Sequence, residues 1–176
     1  MIHPDKRMIA SLRTPRLHLV PLTLPQLQLC LIDLPALEAE LGLPLSRDVL
    51  NERAQGAIRK KIEKMTGMDE ANQPWQTYWL IIVSENNFGA GLAGFKGYPD
   101  ESGSSEIGYG IDPAYQNKGY MSEAVKALVD WAFLHPFCQR VTATTVENPA
   151  SRRLLEKLGA HLLAEEEAST SWELTR

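Results

Sequence analysis

The sequence predicts a single mixed α/β domain, with helices packed against one central sheet. Three observations lead there. Apolar runs rich in Val, Ile, Leu and aromatic residues recur with the alternation, or the two-faced apolarity, of strands. Segments with apolar residues at helical spacing lie among them. Neither an internal repeat nor a low-complexity linker divides the 176 residues, a length that suits one domain with a sizeable core. The expected domain covers residues 1–176.

The elements follow in order. RLHLVPL, Arg16 to Leu22, has leucines at alternate positions and reads as a strand. LPQLQLCLIDLPALEAEL reads as a short helix broken near Pro35, then a second helix. SRDVLNERAQGAIRKKIEKM opens on Ser46, a good helix cap, and has helical spacing at Val49, Leu50, Ala57, Ile58 and Ile62; its charged face is expected in solvent. QTYWLIIVSE is apolar on both faces and so a central strand. GAGLAGFKGY is another strand, and PDESGSS a loop. EIGYGI is the next strand, with Ile107, Tyr109 and Ile111 on one face and Glu106, Gly108 and Gly110 on the other. RVTATTV is a further strand and NPASRRLLEKLG a capped helix. AHLLAEEEASTSWELTR closes with two strands around a turn near Ala168–Ser169.

Composition narrows the function. Hydrophobic residues are 44% and charged residues 23%, ordinary for a soluble globular protein. A net charge of −4 argues against nucleic acid, whose phosphates need a basic face. The apolar run around YWLIIV is too short to span a bilayer, and MIHPDKRMIASLRT lacks the apolar core of a signal peptide. Cys30 and Cys138 are far apart and read as two buried free thiols of a cytoplasmic protein. His18, His135 and His161 show no metal spacing, so no metal is expected; His135, near a helix end before Pro136, reads as a complement to the helix dipole.

Two glycine motifs invite opposite readings. Gly89 to Gly94 matches GxGxxG after an apolar strand, but the dinucleotide fingerprint needs a helix to begin within the motif. FKGYPDESGSS follows instead, so the glycines read as part of a strand or hairpin. The second motif, YQNKGYMSEAV, passes the test that the first fails. After Gly119, apolar residues at Met121, Val125, Leu128, Val129, Ala132 and Phe133 mark a helix that packs on a sheet. A helix start leaves backbone N–H groups unpartnered and carries partial positive charge, and glycine lets a ligand approach the backbone. The residues fit a phosphate group, a pyrophosphate in particular, or else an ordinary helix start near Asp112–Pro113; both readings stand at this point.

The stretch EIGYGIDPAYQNKGYMSEAVKALVDWAF resembles the acetyl-CoA site of the GNAT acetyltransferases. Their signature is Q/R-x-x-G-x-G/A, and Gln116-Asn117-Lys118-Gly119-Tyr120-Met121 departs from it only at Met121. NPASRRLLEKLGA resembles a block of the RimJ/RimL-like branch, with Ala160 in place of the usual Phe, and LRTPRLHLVPLT resembles that branch's opening strand. The resemblance implies a central, mostly antiparallel mixed sheet, flanked by helices, whose fourth and fifth strands splay to admit acetyl-CoA. Pantetheine is then expected along the backbone of Tyr109, Gly110 and Ile111. Pyrophosphate is expected on the amides of Gln116, Asn117, Lys118, Gly119, Tyr120, Met121 and Ser122. The amine acceptor attacks the thioester directly, and the helices between Leu24 and Met65 line its pocket.

Three chemical tasks remain within that resemblance. A free backbone N–H beside Ile111 is a candidate oxyanion donor. Glu106 is a candidate general base, directly or through water, or else an ordinary strand-end carboxylate. Ser151 is a candidate hydrogen-bond donor to the leaving sulfur, or else a first-turn helix residue; many relatives carry a tyrosine where this chain has Leu155. Asn148 caps its helix, and a contact to pantetheine is a further implication of the family. The implied activity is acetyl-CoA-dependent N-acetyl transfer to a protein N-terminus or a small-molecule amine, by a monomer or homodimer. The alternative is a GNAT-fold module that holds CoA without turnover.

Overall fold

The computed structural model describes residues 11–176. Its strands are β1 (Leu12–Arg13), β2 (Leu17–Pro21), β3 (Trp79–Val83), β4 (Phe88–Phe95), β5 (Ser104–Ile111), β6 (Arg140–Val146), β7 (His161–Glu165) and β8 (Thr170–Thr175). Its helices are α1 (Leu24–Ile32), α2 (Leu34–Leu41), α3 (Glu52–Met65), the single turn α4 (Gln73–Gln76), α5 (Tyr120–Phe133) and α6 (Pro149–Lys157). The strands form one 8-stranded sheet in the order β1-β2-β3-β4-β5-β6-β8-β7. Every neighbouring pair is antiparallel except β5 with β6.

Two apolar layers hold the helices to the two faces of this sheet. Leu17, Leu19, Ile81, Phe95, Ile107 and Val141 point to one face, where Val125, Leu128 and Val129 of α5 and Leu154 and Leu155 of α6 cover them. Leu80, Ile82 and Leu92 point to the other face, under Leu27 of α1, Leu37 of α2 and Ile58 and Met65 of α3. The alternation is the strand period expressed as two cores. β3 supplies both, and all five of its residues are buried, as its two-faced apolarity predicts.

The helix break at Pro35 is observed. Asp33 ends α1 and caps α2 through its side chain, accepting from Ala36 N at 3.0 Å, with Pro35 in the first turn of the new helix. The closing strand pair around Ala168–Ser169 is observed too, with Glu166 N donating to Ser169 O at 2.8 Å. The GxGxxG stretch lies wholly inside β4. Its glycines answer close packing: a Cβ at Gly94 would stand 2.4 Å from the Thr77 carbonyl.

The expected helix start at Ser46 is corrected. α3 begins at Glu52, capped by Asn51, whose side chain accepts from Ala54 N at 3.0 Å. Ser46 lies instead in a segment hydrogen-bonded alongside β4. Gly89 N donates to Pro44 O at 2.9 Å, and Ser46 N donates to Gly89 O at 2.8 Å. A backbone pinned to a strand in this way has no helical conformation open to it. Val49 and Leu50 still pack on the second core, but from this loop.

The charged face of α3 is also drier than expected at one position. Lys61 is 6% exposed, and its Nζ donates to Gln76 O at 2.8 Å and Phe95 O at 2.7 Å. Burial lowers its pKa to about 7. The ammonium thus ties α3 to α4 and to the end of β4. No helix of the described residues is long and apolar enough to cross a membrane.

Candidate active site

The site begins where the parallel pair of strands comes apart. β5 and β6 pair only over Ser104–Glu106 and Arg140–Thr142. Beyond Glu106, β5 continues to Ile111 while bonded to β4 alone. The short β1 shifts the count by one, so β5 and β6 are the fourth and fifth strands of the expected splay. β6 bends away with a bulge between Ala143 and Val146, where Thr145 has φ +53°. A β-branched residue in that region is a strained outlier, and the bulge re-aims the strand.

Backbone parity decides which groups face the cleft. Lys96 N donates to Glu106 O at 2.8 Å, and Asp112 N donates to Ala90 O at 2.8 Å. Even-numbered residues of β5 therefore turn their peptide groups toward β4. The groups of Ile107, Tyr109 and Ile111 turn the other way, toward the gap left by β6. Tyr109 and Ile111 thus offer backbone N–H and C=O to an extended ligand; Gly110 does not. Gly110 and Gly108 contribute differently, since a Cβ built on either meets nothing within 4 Å. They leave an open floor on the face of β5 that carries Glu106.

Glu106 stands at the point of divergence. Its Oε1 accepts from Thr144 Oγ1 at 2.6 Å and is ion-paired with Lys96 Nζ. Oε2 makes no hydrogen bond among the described residues. The carboxylate is 26% exposed at its side chain, so it reaches both the floor and water.

β5 feeds the cradle at the start of α5. Asp112 caps a turn of 3-10 helix over Pro113–Tyr115, accepting from Ala114 N at 2.8 Å. That is the helix start near Asp112–Pro113, and it stops after one turn. Asn117 then has φ +59° and Gly119 φ +79°, whereas Lys118 between them does not have positive φ. Such alternation turns successive N–H groups toward one concave side, an anion-binding nest. Gly119 is the N-cap of α5, with no side chain to occupy the free amides of Tyr120, Met121 and Ser122. Gln116, Asn117 and Lys118 are exposed. Met121, the departure from the signature, packs its side chain against the main core.

α6 supplies the opposite wall. Asn148 caps it, accepting from Ala150 N at 2.8 Å, as expected. Ser151 is half-buried in the first turn, and its hydroxyl lies near the phenol of Tyr109. Burial raises the Tyr109 phenol above its ordinary value while Ser151 acts against that rise; the phenol makes no hydrogen bond of good geometry. Leu155 is 1% exposed in the main core and offers the cleft no hydroxyl.

No thiol is poised for covalent chemistry. Cys30 and Cys138 are buried and unbonded to one another. Burial pushes Cys30 up to about 11 and raises Cys138 as well, which disfavours the nucleophilic thiolate. His135 lies with Nδ1 3.1 Å from Trp131 O at the end of α5, against the Trp75 and Trp131 rings. Among the described residues no cluster of three or more His, Cys, Asp or Glu side chains is arranged to hold a metal.

The acetyltransferase (GNAT) domain family model matches residues 27–161 of the chain. The chain belongs to the GNAT acetyltransferase family. Among curated relatives, an uncharacterized N-acetyltransferase, YjdG of Bacillus subtilis, is 39% identical over 82 residues, 46% of this chain and 49% of the relative. The chain thus spans about half the length of that relative. Among solved structures, an acetyltransferase from Agrobacterium tumefaciens matches with a TM-score of 0.63, 20% identity and 100% of both chains covered. The RimL ribosomal L7/L12 alpha-N-protein acetyltransferase in complex with coenzyme A matches with a TM-score of 0.61 and 19% identity, over 92% of this chain and 95% of that one. At these identities the structures establish the GNAT fold.

Sequence reasoning missed several residues that contact these candidates. Lys96 and Thr144 hold Glu106, and Thr14 and Arg16 contact the start of α5. Arg16 stood in view within LRTPRLHLVPLT, but nothing local in a strand reveals a partner more than a hundred residues away.

Proposed function

We propose that this GNAT domain, residues 1–176, is an acetyl-CoA-dependent N-acetyltransferase acting on a primary amine, a protein N-terminus or a small-molecule amine, through a ternary complex. One observation carries the reading: beyond Glu106 the edge of β5 is left unpaired by β6, and the same strand leads directly into the turn with positive φ at Asn117 and Gly119. The cleft fits acetyl-CoA on its own chemistry. It offers strand-edge amides for pantetheine and a nest with a helix N-terminus for pyrophosphate.

Acetyl-CoA supplies an acetyl group as a thioester. The residues of the chain would orient it, free the amine and quiet the charges. Tyr109 and Ile111 pair along the pantetheine by backbone, and the Ile111 N–H is the oxyanion donor. Gln116 to Ser122 receive the pyrophosphate. Glu106 takes the amine proton through Oε2, directly or through one water, while Lys96 and Thr144 fix the carboxylate from its other oxygen. Ser151 donates to the departing sulfur, and Asn148 is free to touch pantetheine with its amide nitrogen. A thiol of pKa about 8.5 leaves readily, so a weak donor is enough.

The RimJ/RimL-like branch is supported by the RimL likeness and by NPASRRLLEKLGA. Two buried free thiols favour a cytoplasmic setting. The second reading, a CoA-binding module without turnover, draws on Leu155, buried where many relatives carry a tyrosine. Incubation of acetyl-CoA with a panel of α-amines and ε-amines, reading thiol release, separates the two. Amine-dependent release supports transfer; CoA binding with no release from any amine supports the module.

A further inference from the structure

Glu123, in the first turn of α5, is held by the corner between β1 and β2. Its Oε1 accepts from Thr14 Oγ1 at 2.5 Å and Arg16 N at 2.9 Å, and its Oε2 accepts from Arg16 Nε at 2.7 Å. Burial opposes ionisation of this carboxyl, but the donors of Thr14 and Arg16 outweigh it and hold the group below its ordinary value. Thr14 is itself fixed, since its Oγ1 accepts from Leu17 N at 3.0 Å. The corner between β1 and β2 and the start of α5 are therefore joined by a rigid, charge-assisted knot.

The knot reaches the nest through one further bond. With Nε committed to Glu123, Arg16 Nη1 donates to the carbonyl of Lys118 at 2.8 Å. The guanidinium lies 4.5 Å over the Tyr120 ring, and its Nη2 stands 3.3 Å from where a Cβ of residue 119 would be. The Lys118 carbonyl belongs to the same planar trans peptide as the Gly119 N–H, and the two point in opposite directions. Holding the carbonyl outward holds that N–H inward.

We propose that Arg16, locked by Glu123 and Thr14, is a positioning residue that sets the direction of the Gly119 amide and so preorganises the nest for a pyrophosphate. The inference rests on the reading of Gln116–Ser122 as the pyrophosphate cradle. Arg16 acts through the peptide and not as a phosphate ligand, because its charge is balanced by Glu123.

The test compares Arg16→Gln, Glu123→Gln and the double variant with the wild-type chain. Calorimetry with CoA gives affinity, and turnover is followed with acetyl-CoA and with acetyl-pantetheine, which lacks the phosphates. Each single variant should weaken CoA by about tenfold, the effect of losing one charge-assisted hydrogen bond. The double variant should be no worse than the singles. The loss should appear in KM for acetyl-CoA and not in kcat, and acetyl-pantetheine kinetics should not change. Should Arg16→Gln fold poorly, Glu123→Gln decides alone. Unchanged CoA affinity, additive losses, or an equal loss with acetyl-pantetheine would overturn the clamp while leaving the cradle reading intact. A wild-type chain that does not bind CoA would overturn both.

Discussion

Gly119 carries the tightest constraint at the scale of one residue. Its φ is +79°, and any side chain there meets the Arg16 guanidinium. Gly119→Val should weaken CoA by tenfold or more, since strain in this region costs of order 1–3 kcal/mol, and relief of it breaks the nest. Lys118→Ala should weaken it less, because Lys118 gives the nest a peptide and only an exposed charge. Calorimetry on both variants checks the order, and a reversed order would mean that side-chain charge does the holding. Glu106 bears a second prediction. Freeing a lysine-like amine at pH 7 costs about 4.6 kcal/mol, but an α-amine costs only about 1.1 kcal/mol. Glu106→Gln should therefore cost little with an α-amine acceptor, with recovery toward pH 9, and much more with a strongly basic one. Wild-type rates at every pH from 6 to 9 would remove Glu106 from the mechanism. The candidates Glu106 and Ser151 were named from their places in blocks that resemble the family, and Gly119 from the turn that leads into a helix with apolar spacing. Lys96 and Thr144 were not, because they meet Glu106 only across strand pairings.

Elements show where local patterns suffice and where they do not. α5 lies where its apolar spacing predicts and α6 where the Asn148 cap and its spacing predict, with the Ser151 hydroxyl near the Tyr109 phenol. Ser151→Ala should lower kcat by at most about tenfold, the worth of one neutral hydrogen bond, with a smaller change in KM for acetyl-CoA. A loss confined to KM would make Ser151 a cofactor contact only. α3 starts five residues later than the cap at Ser46 predicts, because pairing with β4 claims that segment first. Lys61 was illegible for a related reason: a lysine run looks solvated until α4 and β4 close over it. Lys61→Met removes both donors to Gln76 O and Phe95 O and should destabilise the fold by about 1–3 kcal/mol near neutral pH. The sign with pH is set by its folded pKa of about 7, below the unfolded value of about 10.4. Between these values the unfolded chain binds more protons, so the Lys61 contribution rises with pH. The gap in urea midpoint between wild type and variant should widen from pH 7 to pH 9; a constant gap would mean that burial does not depress this lysine.

The whole molecule is a sheet that opens at one seam. Helices cover both faces, β4 and β5 stay paired as far as Ile111, and β6 leaves β5 after Thr142 with a bulge between Ala143 and Val146. The fold was legible because three separated blocks agree on it. The acceptor was not, because the face covered by α1, α2 and α3 is selected for packing, and its polar rim carries no pattern that names an amine. The most direct test of the account is acetyl transfer from acetyl-CoA, with thiol release and acetylated amine measured together in the wild-type chain and in Gly119→Val. The account predicts thiol release that depends on the amine, matches the acetylated product one for one, and falls with the variant through KM for acetyl-CoA. Thiol release that proceeds without amine and leaves an acetyl group on the protein would contradict direct transfer.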